Sequence, residues 1–139
     1  MISYNTVGVE MPPIDQPRVS AWVRQVAERY GKKVGDINFI FVSDEEILRI
    51  NREYIRHDYY TDHIGFDYSS GNVLSGDVFI GVETVASNAE LIGETYRREL
   101  HRVIIHGVLH LCGIKDKTPE LRMQMEAAEN AALALAVWL

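Results

Sequence analysis

The chain is poor in cysteine: Cys112 is the only one in 139 residues, which excludes an intrachain disulfide framework and fits a reducing compartment. It also has no apolar run of the roughly 18 residues that a membrane span requires, and no charged N-terminal segment ahead of a long apolar one. A cytoplasmic location without membrane attachment is therefore expected. Positive charge is scarce as well. Fourteen Lys and Arg stand against 20 Asp and Glu, giving a net charge of −6 and a pI near 5.3. A generic nucleic-acid binder is basic, so any such binding here has to come from a local patch. Repeats and low-complexity segments are absent. A length of 139 residues with 47% hydrophobic content predicts one domain spanning residues 1–139, large enough to bury a core.

Apolar spacing divides the chain into alternating elements. Residues 2–9 read as an edge strand ended by Pro12-Pro13, and residues 17–30 as a helix carrying Val19, Trp22, Val23 and Val26. Gly31 and Gly35 bracket the break before a buried strand over 37–42. Ser43-Asp44-Glu45-Glu46 is a capping box opening a helix that carries Ile47, Leu48, Ile50 and Tyr54. Residues 63–68 and 73–80 form a predicted hairpin around Ser69-Ser70-Gly71-Asn72. Helices follow over 82–91, around the two histidines at 106 and 110, and from a Thr118 N-cap and Pro119 to Trp138. The sum is an α+β fold, a small four-stranded mixed sheet with about five helices and the histidine-bearing helix in the core.

The residues that demand chemistry are His106, His110 and Asp116 in the run His106-Gly107-Val108-Leu109-His110-Leu111-Cys112-Gly113-Ile114-Lys115-Asp116. Histidines four apart lie about 40° apart around a helix, one turn above the other, so both rings can reach one ion. Leu100, Val103, Ile104, Val108 and Leu111 make this helix apolar nearly all round, and buried imidazoles need partners. Gly113 stands where a left-handed cap would stop the helix, and the turn can return Asp116 to the rings as a third ligand. Three protein ligands leave a position for water. Zinc suits the set, and the carboxylate shifts preference towards harder divalent ions. Gly107 occupies the place where helical zinc peptidases carry a general-base Glu, which disfavours that class. A glycine in mid-helix also implies that a strand or a substrate approaches there. Cys112 points away from the ligand face and reads as a packed thiol.

The run His-Gly-x-Leu-His-Leu-x-Gly with a ligand six residues later resembles the YbeY family of bacterial metal-dependent endoribonucleases. Ile50-Asn51-Arg52-Glu53-Tyr54, Asp58, Thr61-Asp62-His63-Ile64-Gly65-Phe66 and Gly76-Asp77-Val78-Phe79-Ile80 resemble the family's other motifs in the same order. Several departures from the pattern matter. Asp116 stands for the usual third His, Ile55 for an Arg linked to RNA, Tyr60 for Pro, and His63 for an apolar residue. Arg56 is the candidate substitute for the missing Arg. His63, a lone histidine outside the ligand motif, lies near the site or simply faces solvent, and is not counted among the ligands. Asp58, Asp62 and Asp77 read as backbone caps rather than catalytic groups.

The resemblance implies a zinc-dependent endoribonuclease that cuts single-stranded RNA, matures the 3′ end of 16S rRNA and serves ribosome quality control, with the ribosome and the rRNA precursor as partners. His106, His110 and Asp116 would hold the metal, which would activate water or polarise the scissile phosphate, and Arg56 would neutralise developing charge. On charge pattern alone Arg98 and Arg102, with Arg97, read as a solvated face paired with Glu94 and Glu99. The resemblance turns them, and the pair Arg52 and Arg56, towards phosphate. Two other readings stay open. One is a two-His-one-carboxylate iron site of an oxygen-activating enzyme. The other is a ribosome-associated assembly factor with a structural metal, which a fourth protein ligand would favour.

Overall fold

A computed structural model describes residues 1–55 and 61–139, with the side chain of Ile55 outside the description. Arg56, Asp58 and Tyr60, singled out above, lie outside the described residues. The elements follow in the order β1 (Ile2–Val7), α1 (Gln16–Arg29), β2 (Lys33–Val42), α2 (Asp44–Ile50), a π-helical turn (Asn51–Ile55), β3 (His63–Asp67), β4 (Val73–Gly81), α3 (Val82–Ile92), α4 (Tyr96–Leu111) and α5 (Pro119–Leu135). The strands form one mixed sheet in the order β1-β2-β4-β3. β1 and β2 run parallel, as do β2 and β4, whereas β3 closes an antiparallel hairpin with β4 in which Ile64 faces Phe79 and Phe66 faces Asp77. The α+β architecture and the element count are those expected.

Local chemistry explains the helix starts. The side chains of Asp15, Ser43, Thr95 and Thr118 accept hydrogen bonds from the backbone N–H of Arg18, Glu46, Arg98 and Leu121, satisfying donors that a first turn leaves without partners. Glu46 completes no reciprocal box, because its carboxylate is held by Arg49. Three further details differ from the sequence reading. Gly35 lies inside β2, at the irregularity between Val34 and Ile37 in its pairing with β4. The helix after Ser43 turns π-helical at Asn51, and the pair expected of Arg52 and Arg56 lies outside the described residues at Arg56. Helix α5 stops at Leu135 rather than running to Trp138. Trp138 instead turns its ring edge-on to Trp22 at 5.9 Å, and its carbonyl accepts a hydrogen bond from Arg97.

The sheet separates two apolar clusters. On one face Ile37, Phe39, Phe41, Leu74, Val78 and Ile80 pack with α1, α4 and α5 residues such as Trp22, Ile104, Val108 and Met125. On the other, Val42, Ile47, Ile50 and Ile64 form a smaller cluster with Phe66 and Phe79 against it. Helix α4 is buried on most of its surface, from Leu100 and His101 through Leu109 and Leu111. Its approach to the sheet is fixed at Gly107, where an added Cβ would lie 2.7 Å from Val78 Cγ1. The group that approaches this helical glycine is thus a strand. At the other end Gly113 adopts φ +99°, and the bonds Gly113 N–H to His110 O and Ile114 N–H to Leu109 O end the helix in a Schellman turn.

Candidate metal centre

The Schellman turn reverses the chain so that Asp116 comes back to the histidine face of α4. Its Oδ2 lies 3.1 Å from His110 Nε2 and 3.3 Å from His106 Nε2. The two rings are edge to face with centroids 4.6 Å apart. From the opposite side β3 contributes His63, whose ring stands 4.4 Å from that of His106 and 6.0 Å from that of His110. Donor atoms of His63, His106 and His110 all fall within 4.8 Å of one another.

Each outer nitrogen that can be traced is held by a carboxylate. His106 Nδ1 lies 2.5 Å from Glu129 Oε2 and His63 Nδ1 lies 2.8 Å from Asp62 Oδ1, an arrangement that fixes ring orientation and directs the other nitrogen inward. Glu129 is itself held by Arg102 at 3.0 Å. Burial disfavours the charged form of His106, but the hydrogen bond and charge of Glu129, with Asp116 and Asp62, outweigh it and raise its pKa above the ordinary value. His110 is shifted down by burial and by the charge of His106, against the pull of Asp116. Burial would raise the Asp62 carboxyl, yet its hydrogen bond and attraction to His63 hold it below the usual range.

A divalent ion fits these residues. His106 Nε2 is buried and makes no hydrogen bond among the described residues; its contact is the Asp116 carboxylate at 3.3 Å, and a buried imidazole nitrogen left without a bond costs free energy that a shared ion would offset. Ligand bonds of about 2.0–2.1 Å in a tetrahedron imply donor separations of about 3.3–3.4 Å. The contacts of Asp116 with the two rings, 3.3 and 3.1 Å, approach that spacing. The three-histidine cluster is compatible with a metal site. His106 and Asp116 open onto a cleft of about 440 Å³ shared with Glu99, Arg102, Arg122 and Glu129. His63 and His110 open onto a second of about 320 Å³ with Asp67 and Lys115. Glu99 brings a carboxyl whose pKa is raised by burial, against the lowering effect of Arg102.

Several residues sit differently from the sequence reading. His63 is no lone histidine but part of the cluster, and Asp62 grips its ring instead of serving only as a cap. Asp77 accepts a hydrogen bond from Asn38 and lines a pocket with Phe66 and Phe79, on the sheet face away from α4. The arginines of α4 are engaged by protein groups: Arg97 by the Trp138 carbonyl, Arg98 by Glu94, and Arg102 by Glu99, Glu129 and Asn130. They make the paired face that the charge pattern alone described. Lys115 and Arg122, by contrast, have no carboxylate partner among the described residues and line the two clefts. Cys112 is packed against the main core, and burial pushes its pKa up to about 11. Glu129 was missed, although Met125, Glu129, Ala132 and Leu133 form one buried stripe of α5 and a carboxylate in such a stripe marks a bound partner.

The family description "Endoribonuclease YbeY" matches residues 7–136. The Endoribonuclease YbeY of Phocaeicola vulgatus is 60% identical over 135 residues, covering 97% of this chain and 98% of that protein. The Endoribonuclease YbeY of Bacteroides thetaiotaomicron is 56% identical over 134 residues, covering 96% and 98%. In fold, the chain is similar to the solution structure of a Thermotoga maritima protein, with a TM-score of 0.66, 24% identity and coverage of 96% and 90%. With the family description extending over nearly the whole sequence and relatives this similar across their full length, the chain belongs to the YbeY endoribonuclease family.

Proposed function

We propose that this protein is a metal-dependent endoribonuclease specific for single-stranded RNA, acting in maturation of the 16S rRNA 3′ end and in ribosome quality control in the cytoplasm. In this reading residues 1–139 work as one YbeY-like metallohydrolase domain, and His106, His110 and Asp116 hold zinc. The observation that carries it is the convergence of imidazoles and a carboxylate at metal-ligand spacing beside open clefts, in a chain whose relatives are named endoribonucleases. Zinc bound there would supply Lewis acidity towards a phosphoryl oxygen and lower the pKa of water.

The chain's own groups have separable tasks. Glu129 and Asp62 hold the Nδ1 sides of the His106 and His63 rings and so fix their orientation in the cluster. Lys115 and Arg122 flank the cluster from two clefts and suit phosphate oxygens on either side of the scissile bond. Arg56 is assigned to charge neutralisation on the family resemblance. One cleavage assay tests the whole reading. End-labelled single-stranded RNA is incubated with zinc-loaded protein, with chelated protein, and with His110→Ala purified in parallel. The expected result is cutting by the first alone. Cutting by all three, or by none, counts against a nuclease. A cyclic phosphate at the new 3′ end identifies the RNA 2′-hydroxyl as the attacking group, whereas its absence throughout the time course identifies water.

A second reading is favoured by one observation, the placement of His63 against the other donors. Four protein ligands are the mark of a structural ion, and the protein would then act as a ribosome assembly factor by binding alone. Under it the metal is retained while RNA stays intact.

A further inference from the structure

We infer that His63 is a ligand of the same metal, so that the imidazole this chain lacks at position 116 is supplied from strand β3. The inference rests on the cluster being a metal centre; its test does not require that centre to cut RNA, and the fourth ligand it adds weighs towards the second reading above.

Two departures from the family pattern, taken separately, look unrelated: Asp116 stands for a histidine, and His63 for an apolar residue 53 positions earlier. In the folded chain they are one exchange. Strand pairing sets Ile64 opposite Phe79, and Ile64 joins the small cluster with Ile47 and Ile50 on the α2 face. By the two-residue period of a strand His63 must therefore point to the other face, towards α4. There its ring meets that of His106 at 4.4 Å. Three imidazoles packed together bring no mutual stabilisation as hydrogen-bond partners here, for the bonds seen run to the carboxylates of Asp62, Glu129 and Asp116. Among the described residues no protein acceptor or donor meets the second nitrogen of His63.

The Asp62–His63 contact repeats the Glu129–His106 contact. In both, a carboxylate takes the Nδ1 side of a ring that also offers a donor nitrogen to the cluster, the pattern of a metal-bound histidine with an outer-sphere partner. The donor set then becomes three imidazoles and one carboxylate. Its charge equals that of His106, His110 and Asp116 alone, since the added ligand is neutral, but its character shifts towards nitrogen. Imidazole selects zinc, copper, iron and nickel over magnesium and manganese. His63 thus offsets the drift towards harder ions that Asp116 introduces.

The test reads metal binding rather than cleavage. In ¹⁵N-labelled protein loaded with Zn²⁺, long-range ¹H–¹⁵N correlation spectra are expected to show one ring nitrogen of His63 at the chemical shift of a metal-bound imidazole, as for His106 and His110. In chelator competition, His63→Ala and His63→Gln are expected to weaken Zn²⁺ binding by more than about 100-fold, beyond the roughly 10–100-fold that losing an outer-sphere partner costs. His110→Ala is measured beside them, with unfolding curves to show that each variant is folded. A free-imidazole shift for His63, or His63 variants that bind Zn²⁺ within about twofold of wild type while His110→Ala loses it, overturns the inference and leaves the metal centre standing. Unaltered binding in His110→Ala as well overturns the centre itself.

Discussion

Glu129 touches two functional neighbours at once, His106 through Oε2 and Arg102 through Oε1. Replacing it by Gln keeps the size but removes the charge that holds the ring, so Glu129→Gln should weaken Zn²⁺ binding by about 10–100-fold. Competition with a chromophoric chelator measures this directly, and an affinity equal to that of wild type would exclude a positioning role. A second histidine, His101, shows the opposite environment. It is 1% exposed, set between Trp22 and Trp138, with Nδ1 donating to the Arg97 carbonyl and Nε2 without a hydrogen-bond partner among the described residues. Burial lowers its pKa below 6.5, outweighing the Arg97 hydrogen bond. The unfolded chain therefore binds more protons than the folded one as pH falls through about 6.5, so this residue's contribution to stability declines on acidification until the folded pKa is passed. His101→Phe should lose less stability than wild type between pH 7.5 and 5.5 in urea unfolding. Equal losses would show that the buried ring does not carry the acid sensitivity.

At the scale of elements, the site depends on how closely α4 lies on β4. The 2.7 Å that a Cβ at residue 107 would leave to Val78 Cγ1 is far inside a normal contact, so Gly107→Ala should destabilise the fold by about 1–3 kcal/mol despite the better helix propensity of alanine. Combined with Val78→Ala, the cost should be less than the sum of the single changes, because the second change removes the clashing methyl. Additive losses in denaturant unfolding would place the strain elsewhere. These elements were mostly legible in the sequence. The Ser43 and Thr118 caps, the Gly113 stop and the apolar stripes of α1 and α4 depend on neighbours within a few residues, which is why spacing found them. The π-helical turn at Asn51–Ile55 and the early end of α5 were not legible. The close of α5 accompanies docking of Trp138 against Trp22 and His101, over a hundred and nearly forty residues away.

For the molecule as a whole, a net charge of −6 means that RNA would be met by a few local cations. Arg97, Arg98 and Arg102 are taken up by protein partners, which among the described residues leaves Lys115 and Arg122 lining the clefts beside the cluster. With Arg56 as assigned above, three phosphate contacts predict a slope of about −2.1 for log K against log salt on single-stranded RNA. Filter binding across salt concentrations should give this shallow dependence, with Lys115→Ala and Arg122→Ala each flattening it and Arg98→Ala leaving it unchanged. A steep slope would reveal a basic surface not accounted for by these residues.

By itself the sequence determined the helix that carries His106 and His110, the turn that returns Asp116, and the family pattern, since each is written in residues close along the chain. Only the tertiary structure decided that His63, Asp62 and Glu129 join them. Strand alternation tells that His63 and Ile64 point opposite ways, but not which face α4 will cover. The stripe on α5 shows that Glu129 is buried, but not that the buried partner is a ring 23 residues earlier. Pairing and packing between distant segments set both, and no local spacing rule records them.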